Sequence, residues 1–542
     1  MGYFTTIPEA WRLFTPVERR NIAIYIVGIV LYKFGLEAFN GSVVALATNR
    51  YDYDASISNT APKTFERIGL LTGLNQAFQV VGSIIIAPLI KRYPTQKVLA
   101  GAILVFGIFS AILLIVDGAT GGQFLPEAYR GVGKHPKNQY WYYGDFNTDG
   151  MIPIYSICGI AYGMIELIRR VIPRDIVGGN VKKLRVMDSL VHVFNELSGT
   201  AAAFCTALGL IPNLGNNKAF LITPPCFALG ALAFYAVKIT TVTKTEEPKG
   251  GWGLRSFAKA LYTSFLVFFE SIYVGGKILL SSRKFAWLIP AYTIALYGHR
   301  YLESGIVPPV ARRYLGESSW SQIIIGGSNL GELIGALLVL FSYNLIPTPI
   351  PWIRLDALTL LVVWYMPFWR PPAGDVSQAW IAAATVLPVS MCWSAGDVSL
   401  IAYIQALLTR TESEEERVST LGAVMAFLYS INIIFVAVAS PLLGRYIDQV
   451  YTQTGGTSGG NIYEAIKNVG GVQFTVIAVI VLASTFVPRG SWALNPQMLY
   501  NEKYDKDVSD EEALPKIPVG EKASQDEKCM DEVITAAPNP TI

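Results

Sequence analysis

Lys33, Glu37, His299, Arg300 and Glu303 are ionisable residues set in stretches that are otherwise apolar. The first stretch reads Tyr32-Lys33-Phe34-Gly35-Leu36-Glu37, the second Tyr297-Gly298-His299-Arg300-Tyr301-Leu302-Glu303. Hydrocarbon gives a charge no solvation, so an ionisable group there marks a functional site by default. Lys33 and Glu37 stand four apart, on one helical face, and can pair. Glu303 is four from His299 and three from Arg300 and can pair with either. Burial disfavours a charged carboxyl, whereas a nearby cation favours it. A carboxyl between those influences can load and unload a proton near neutral pH. Glu303 is the leading candidate, with His299 as relay and Arg300 as counter-ion or anion contact. The competing reading is a static ion pair that fixes helix packing.

Other apolar stretches hold further candidates. Glu166 and Asp397 are isolated carboxylates. Asp188, His192 and Glu196 recur at steps of four and form one polar stripe, either a proton path or an interhelical network pairing Arg185 or Arg169. A metal at His192 and Glu196 is thinly supported, because the chain has only three histidines and softer metals want imidazole or thiolate clusters. Asn75 and Gln79 share a face, as do Asn329 and Glu332, so all four can supply polar contacts or simple interhelical hydrogen bonds. Tyr162 and Trp393 offer stacking surfaces or plain packing. Asp145-Phe146-Asn147-Thr148-Asp149-Gly150 begins like a calcium loop, but its twelfth position is Ser156 in place of a bidentate Glu. An Asx-rich turn is the better reading, with Trp141-Tyr142-Tyr143 before it at a membrane interface. No nucleophile–base constellation stands out, so no enzyme activity and no cofactor are expected. The cysteines show no metal spacing and no disulfide framework.

These residues need elements to position them. Of 542 residues, 52% are hydrophobic and 15% charged, against about 25% charged in ordinary soluble domains. Runs of roughly 20 apolar residues recur along the chain, each long enough to cross a bilayer. The expected fold is all-α, with twelve spans near 21–48, 69–90, 98–117, 151–172, 187–211, 219–239, 285–308, 320–345, 350–369, 379–408, 419–443 and 470–488. Residues 1–20 form a short N-terminus without a signal-peptide apolar core. Residues 240–284 connect two six-span halves, 21–239 and 285–488. Within the connector, Phe257, Leu261, Phe265, Phe268 and Ile272 suggest an amphipathic helix lying on the membrane, with a thirteenth span as the alternative. Residues 489–542 read as a disordered acidic tail. Asn501 onward carries 11 Asp/Glu and 5 Lys, a net of −6, so with the whole chain at +3 the remainder is at +9. That excess sits in short loops and concerns topology, not nucleic acid. Arg19-Arg20, Lys91-Arg92, Arg169-Arg170, Lys182-Lys183-Arg185 and Arg283-Lys284 put both termini in the cytoplasm. Lys91, Arg92, Arg169, Arg185 and Asp188 would form a cytoplasmic gate.

The halves echo each other. Gly73-Leu74-Asn75 in the second span matches Gly327-Ser328-Asn329 in the eighth, and Arg185-Val186-Met187-Asp188 matches Arg417-Val418-Ser419-Thr420. Repeats with polar groups at mid-membrane mark secondary transporters. Twelve spans, two halves and a long central loop resemble the major facilitator superfamily, over residues ~15–490. The family's pattern after the second span, Gly-x-x-x-Asp-Arg-x-Gly-Arg-Arg, is only partly kept in Ala87-Pro88-Leu89-Ile90-Lys91-Arg92-Tyr93-Pro94. Arg92 fits, while Lys91 and Pro94 replace the Asp and the second Gly. The resemblance is to divergent members, fungal in flavour, near Ile172-Pro173-Arg174-Asp175. It implies alternating access by a monomer that moves a small organic solute with protons, through a cavity lined by the first, fourth, seventh and tenth spans. The plasma membrane is the default host and a vacuolar membrane the alternative. An uncoupled facilitator, and a sensor or scaffold that signals through the acidic tail, are the other readings.

Overall fold

The structure is a computed structural model that describes residues 11, 12, 14–136, 139–177, 181–238, 254–281, 283–342, 345–409 and 420–499. All twelve expected spans are helices, and the described residues contain no strand. The first half runs Pro16–Ser58, Thr64–Arg92, Thr95–Ala119, Met151–Val177, Val181–Cys205 and Thr223–Ala236. In the second half the eighth, tenth and eleventh spans are Ser321–Ser342, Val376–Thr409 and Thr420–Gln453. The seventh span, from Arg283 to Arg313, is interrupted by π-turns at Ile289–Ile294 and Leu302–Ile306. The ninth, from Ile350 to Phe368, tightens to 3-10 geometry at Leu360–Trp364. The twelfth ends in Gln473–Ser484 after a π-turn at Lys467–Val472.

Among the described residues, eleven helices are long and apolar enough to cross a membrane, and the chain is a multi-pass membrane protein. Only the broken seventh and ninth spans fall outside that set, while the connector helix falls inside it. We call the face where the first span begins the near face and the one where it ends the far face.

The first span starts at a capping box. Thr15 accepts from Glu18 N–H at 3.3 Å, and Glu18 accepts from Thr15 N–H at 2.7 Å, which satisfies two amides that lack helical partners. Its 43 residues measure about 65 Å at 1.5 Å per residue, roughly twice the hydrocarbon thickness. The helix therefore projects beyond the membrane and carries Asp52 to the far rim.

Two apolar cores hold the bundle. One gathers side chains of the first six spans, Phe39, Phe106 and Phe227 among them. The other gathers the last six around Trp287, Tyr301 and Trp320, and Phe65 and Ala207 of the first half reach into it. The connector helix, Leu254–Ser281, packs against the eleventh and second spans, one from each half. It meets Ala423 and Phe427 at Gly275 and Gly276. Tyr262, Phe265, Leu266, Phe269 and Tyr273 stay exposed on its outer side.

The expectation of disorder from residue 489 is corrected. The chain is anchored as far as residue 499, with Ser491 and Leu499 fully buried, while Trp492 and Leu494 stay exposed. Buried Arg354 of the ninth span gathers this segment, donating to Thr485 Oγ1 at 3.0 Å and to the carbonyls of Ala493 and Ser491. Thr348 donates to the Pro496 carbonyl at 3.0 Å. A buried guanidinium needs acceptors, and the backbone after the twelfth span supplies them. The rest of the tail, and the loop with Arg410, Glu412 and Arg417, lie outside the described residues.

Candidate functional site

A cavity of about 190 Å³ lies between the halves. Glu37, the midpoint of the first span, lines it with Lys33 from one turn earlier. The Lys33 ammonium is 3.2 Å from Glu37 Oε2, and both side chains are buried. The opposing wall carries Arg300 and Glu303, whose charged groups are 3.8 Å apart. The two stretches that stood out in the sequence thus face one space, one from each half.

Glu303 sits inside the second π-turn of the seventh span. Such turns are frequent at functional sites. Its Oε1 accepts from Ser328 Oγ at 2.6 Å, and Ser328 Oγ lies 2.7 Å from Ser390 Oγ. A hydroxyl chain therefore runs from the tenth span through the eighth to Glu303. The echo between halves extends to the second and eighth spans, since Asn75, Gln79 and Asn329 all line the cavity. Asn75 donates to the Tyr155 carbonyl at 2.7 Å and accepts from Gln79 at 3.0 Å. Tyr162 lines the wall as well.

Several candidates are placed elsewhere. His299 does not serve Glu303. Its Nε2 is 2.8 Å from Asp356 Oδ1 of the ninth span, and its ring stacks on Trp393 at 4.7 Å. A buried carboxylate from another helix holds the imidazole inside the second half, which corrects the relay assignment and turns Trp393 from a solute surface into a packing partner. Glu166 reaches the cavity wall but is tied to Arg169 at 2.8 Å, and Arg169 also donates to Asn195 at 3.2 Å. Asn195 donates in turn to Glu196 at 2.7 Å. Glu196, Glu332 and, on the tenth span, Asp397 are buried and do not line the cavity. Of the proposed near-face gate, the side chains of Lys91 and Arg185 lie outside the described residues, Asp188 is exposed, and Arg169 is the buried partner of Glu166.

The far face holds a connected polar cluster that the sequence reading passed over. Asp52 accepts from Arg312 Nε at 2.6 Å and from both terminal nitrogens of Arg313 at 2.7 Å. Thr64 adds a hydroxyl at 2.6 Å. Asp52 belongs to the first half and the arginines to the second, so the pair bridges the halves. Arg313 also lies over the Tyr451 ring at 4.1 Å. Asp448 of the eleventh span accepts from the amides of Phe65 and Glu66 at 2.8 and 2.9 Å. It caps the second span from across the interface, where Lys63 makes no side-chain cap of its own. Ser318 donates to Asn49 at 2.8 Å. Beside them Gly69 faces Ser440 and Pro441 so closely that a Cβ would sit 2.4 Å from the Ser440 carbonyl oxygen. The sequence offered one signal, the Tyr51-Asp52-Tyr53-Asp54 run opposite Arg312-Arg313 on the same side.

The third-to-fourth loop covers this latch. Arg312 donates to Tyr140 Oη at 3.2 Å. His135 stacks on Tyr140 at 4.8 Å and contacts Tyr142 Oη at 3.0 Å. Burial, with the Arg312 charge adding to it, pushes the His135 imidazole down to about 4. The Asp145–Gly150 stretch is the expected turn: Asn147 caps Asp149 N–H at 2.9 Å. Arg50 holds that turn by the carbonyls of Gly144 and Phe146 at 2.8 and 2.6 Å.

No family model and no curated protein sequence matches the chain. Solved structures do match over most of their length. A variant of the nucleoside transporter NupG is 12% identical, with 85% of this chain and 99% of that one covered and a TM-score of 0.52. A variant of a POT peptide transporter is 12% identical, covering 86% and 94%, at 0.55. The xylose transporter XylE from E. coli, in a partially occluded inward-open conformation, is 10% identical, covering 86% and 98%, at 0.54. The chain has the fold of the major facilitator superfamily.

Proposed function

We propose that this protein moves a small polar organic solute across a membrane by alternating access, coupled to protons. One observation carries the reading: a mid-depth cavity between the halves receives one ion pair from each, Lys33–Glu37 and Arg300–Glu303. Charges at that depth are costly to keep unless they are used. The solved structures of similar fold include nucleoside, peptide and xylose transporters, which supports a solute-carrying role without naming the solute.

In this reading the near face is cytoplasmic, and the structure is the state with the far face latched. A solute docks between the two ion pairs, with hydrogen bonds from Asn75, Gln79 and Asn329. A proton on Glu303 releases Arg300 to a polar or anionic group of the solute. Ser328 and Ser390 hold the carboxyl in place as its charge changes. Breaking the Asp52–Arg312–Arg313 latch then lets the halves rock and opens the far side.

The test is a thermal-shift screen of the purified protein against a library of polar solutes at pH 5.5 and 7.5. Ligand binding to the folded state raises apparent stability by mass action. A chemically coherent set of hits, with a pH dependence lost in Glu303→Gln, supports the reading. Coherent hits whose binding and accumulation are indifferent to Glu303→Gln point to an uncoupled facilitator. A folded sample with no hits counts against solute transport.

A further inference from the structure

Behind the cavity, where the fifth span of one half meets the eighth span of the other, lies a second group of charges. Lys33 is 1% exposed, Glu196 0%, Glu332 5% and Asn329 1%. Gly199 shows how tightly they converge. A Cβ there would lie 2.6 Å from Lys33 Cε, 3.4 Å from its Nζ and 3.2 Å from Asn329 Nδ2. Phe204 of the fifth span touches Gly326 of the eighth in the same seam. Lys33 feels the charges of Glu37, Glu196 and Glu332, and Glu332 feels Glu196, Glu303, Arg300 and Lys33.

Satisfaction is incomplete in this group. Glu196 spends one oxygen on Asn195, and among the described residues its Oε2 has no hydrogen-bond partner. The amide nitrogen of Asn329 has none either. The Lys33 ammonium has Glu37 at 3.2 Å without a well-aligned hydrogen bond. Lys33 and Arg300 are the cations here, and Glu37, Glu196, Glu303 and Glu332 the carboxylates. Fully ionised, the group would bury two uncompensated negative charges, which proteins avoid by pairing or by protonation.

We propose that Glu332 and Glu196 form a proton-binding site at the seam between the halves, with Lys33 as its movable counter-ion. This rests on the transport reading above and assigns the coupling proton to the seam, in addition to the solute-facing Glu303. The seam location makes the site sensitive to conformation. Glu332 and Asn329 belong to the second half, Lys33 and Glu196 to the first. Rocking the halves changes how far Lys33 and Glu196 stand from Glu332, and so changes Glu332's hold on a proton. By linkage, protonation then biases the same rocking motion. The groups facing the site are Lys33 and Glu37 from the first span, the Glu166–Arg169 pair from the fourth, which reaches Glu196 through Asn195, Glu196 and, one turn nearer the near face, His192 from the fifth, and Arg300 and Glu303 from the seventh. The tenth span, packed on the eighth, brings Ser394 to the Glu332 carbonyl at 2.9 Å and carries Asp397 a turn beyond.

The experiment needs no solute. Spin labels at Ser58→Cys and Gln453→Cys, exposed far-face positions on opposite halves, are placed in the full chain with its native cysteines replaced. The interlabel distance distribution is recorded in lipid from pH 8 to pH 5. The expected result is a pH-driven exchange between short and long distances that Glu332→Gln abolishes and Glu196→Gln moves by a pH unit or more. If Glu332→Gln fails to melt cooperatively, Glu196→Gln alone decides. Wild-type midpoints in both variants, with dependence lost in Glu303→Gln, would overturn the seam site and leave coupled transport standing. A wild-type distribution that ignores pH would also overturn it. A solute-driven distance change in that sample would still support transport.

Discussion

Single residues carry the account at three places. In the proposed reading Glu303 is the solute-side proton carrier, so Glu303→Gln should keep solute binding and lose about tenfold or more of the pH-driven component of uptake, the range of typical coupling energies. Isotope uptake at matched and opposed pH checks this. Gly199 exists to leave room for Lys33. Gly199→Ala should cost about 1–3 kcal/mol by overpacking and should weaken solute binding as Lys33 is displaced. Gly209→Ala, in open space on the same span, should change neither, and melting curves of the two variants separate the cases. Asp52 bridges two arginines at once. Stripping one partner from a buried pair costs about 3–5 kcal/mol, so Asp52→Asn should shift the far face toward opening. The charged cavity residues were legible because charges in apolar runs are conspicuous, whereas uncharged lining residues such as Asn40, Gln76, Gln322 and Asn432 do not stand out in a sequence. His299 was misread because only the fold shows that Asp356, fifty-seven positions away, reaches its ring before Glu303 can. Asp52, Arg312 and Arg313 were passed over because charges at span ends look like ordinary solvated rims until two helices bring them together.

Elements were the most legible level. Apolar length alone placed all twelve spans, since each must satisfy its own backbone hydrogen bonds in lipid. The π-turns that set Glu303 were not legible, because the seventh span reads as one apolar run. The connector's helical face was visible in its three- and four-residue spacing, whereas its packing on the second and eleventh spans depends on glycines whose partners lie elsewhere in the chain. The second–eleventh contact makes a sharp prediction. Gly69→Leu would drive side-chain atoms into the Ser440 backbone, which cannot yield as a flexible side chain can, so the far-face seam should part. Increased labelling of a Cys placed at Thr64 would report it. The third-to-fourth loop adds a pH effect. His135 is held near 4 in the latched state against an ordinary 6.5, so its contribution is fully present above about 6.5 and is lost as pH falls toward 4. Glu317 beside it opposes this: burial raises its pKa, and its contribution fades as pH rises. His135→Asn should therefore leave only the Glu317 effect, a far-face closure that strengthens as pH falls, in far-face accessibility measurements.

At the scale of the whole molecule, two cores are held together at the far face by Asp52–Arg312–Arg313 and the Asp448 cap and separated at mid-depth by a cavity with an ion pair on each wall. The arrangement makes sense if the halves rock about that cavity while protons and solute change the pairing of its charges. The most direct test of that claim is uptake into proteoliposomes of a solute found by the thermal-shift screen, with and without an imposed pH gradient. The account predicts accumulation above the external concentration when the gradient is present, collapse on adding a protonophore, and loss of accumulation in Glu303→Gln. Uptake that only equilibrates and ignores both the gradient and the variant would contradict proton coupling. A bound solute that never crosses would contradict transport itself.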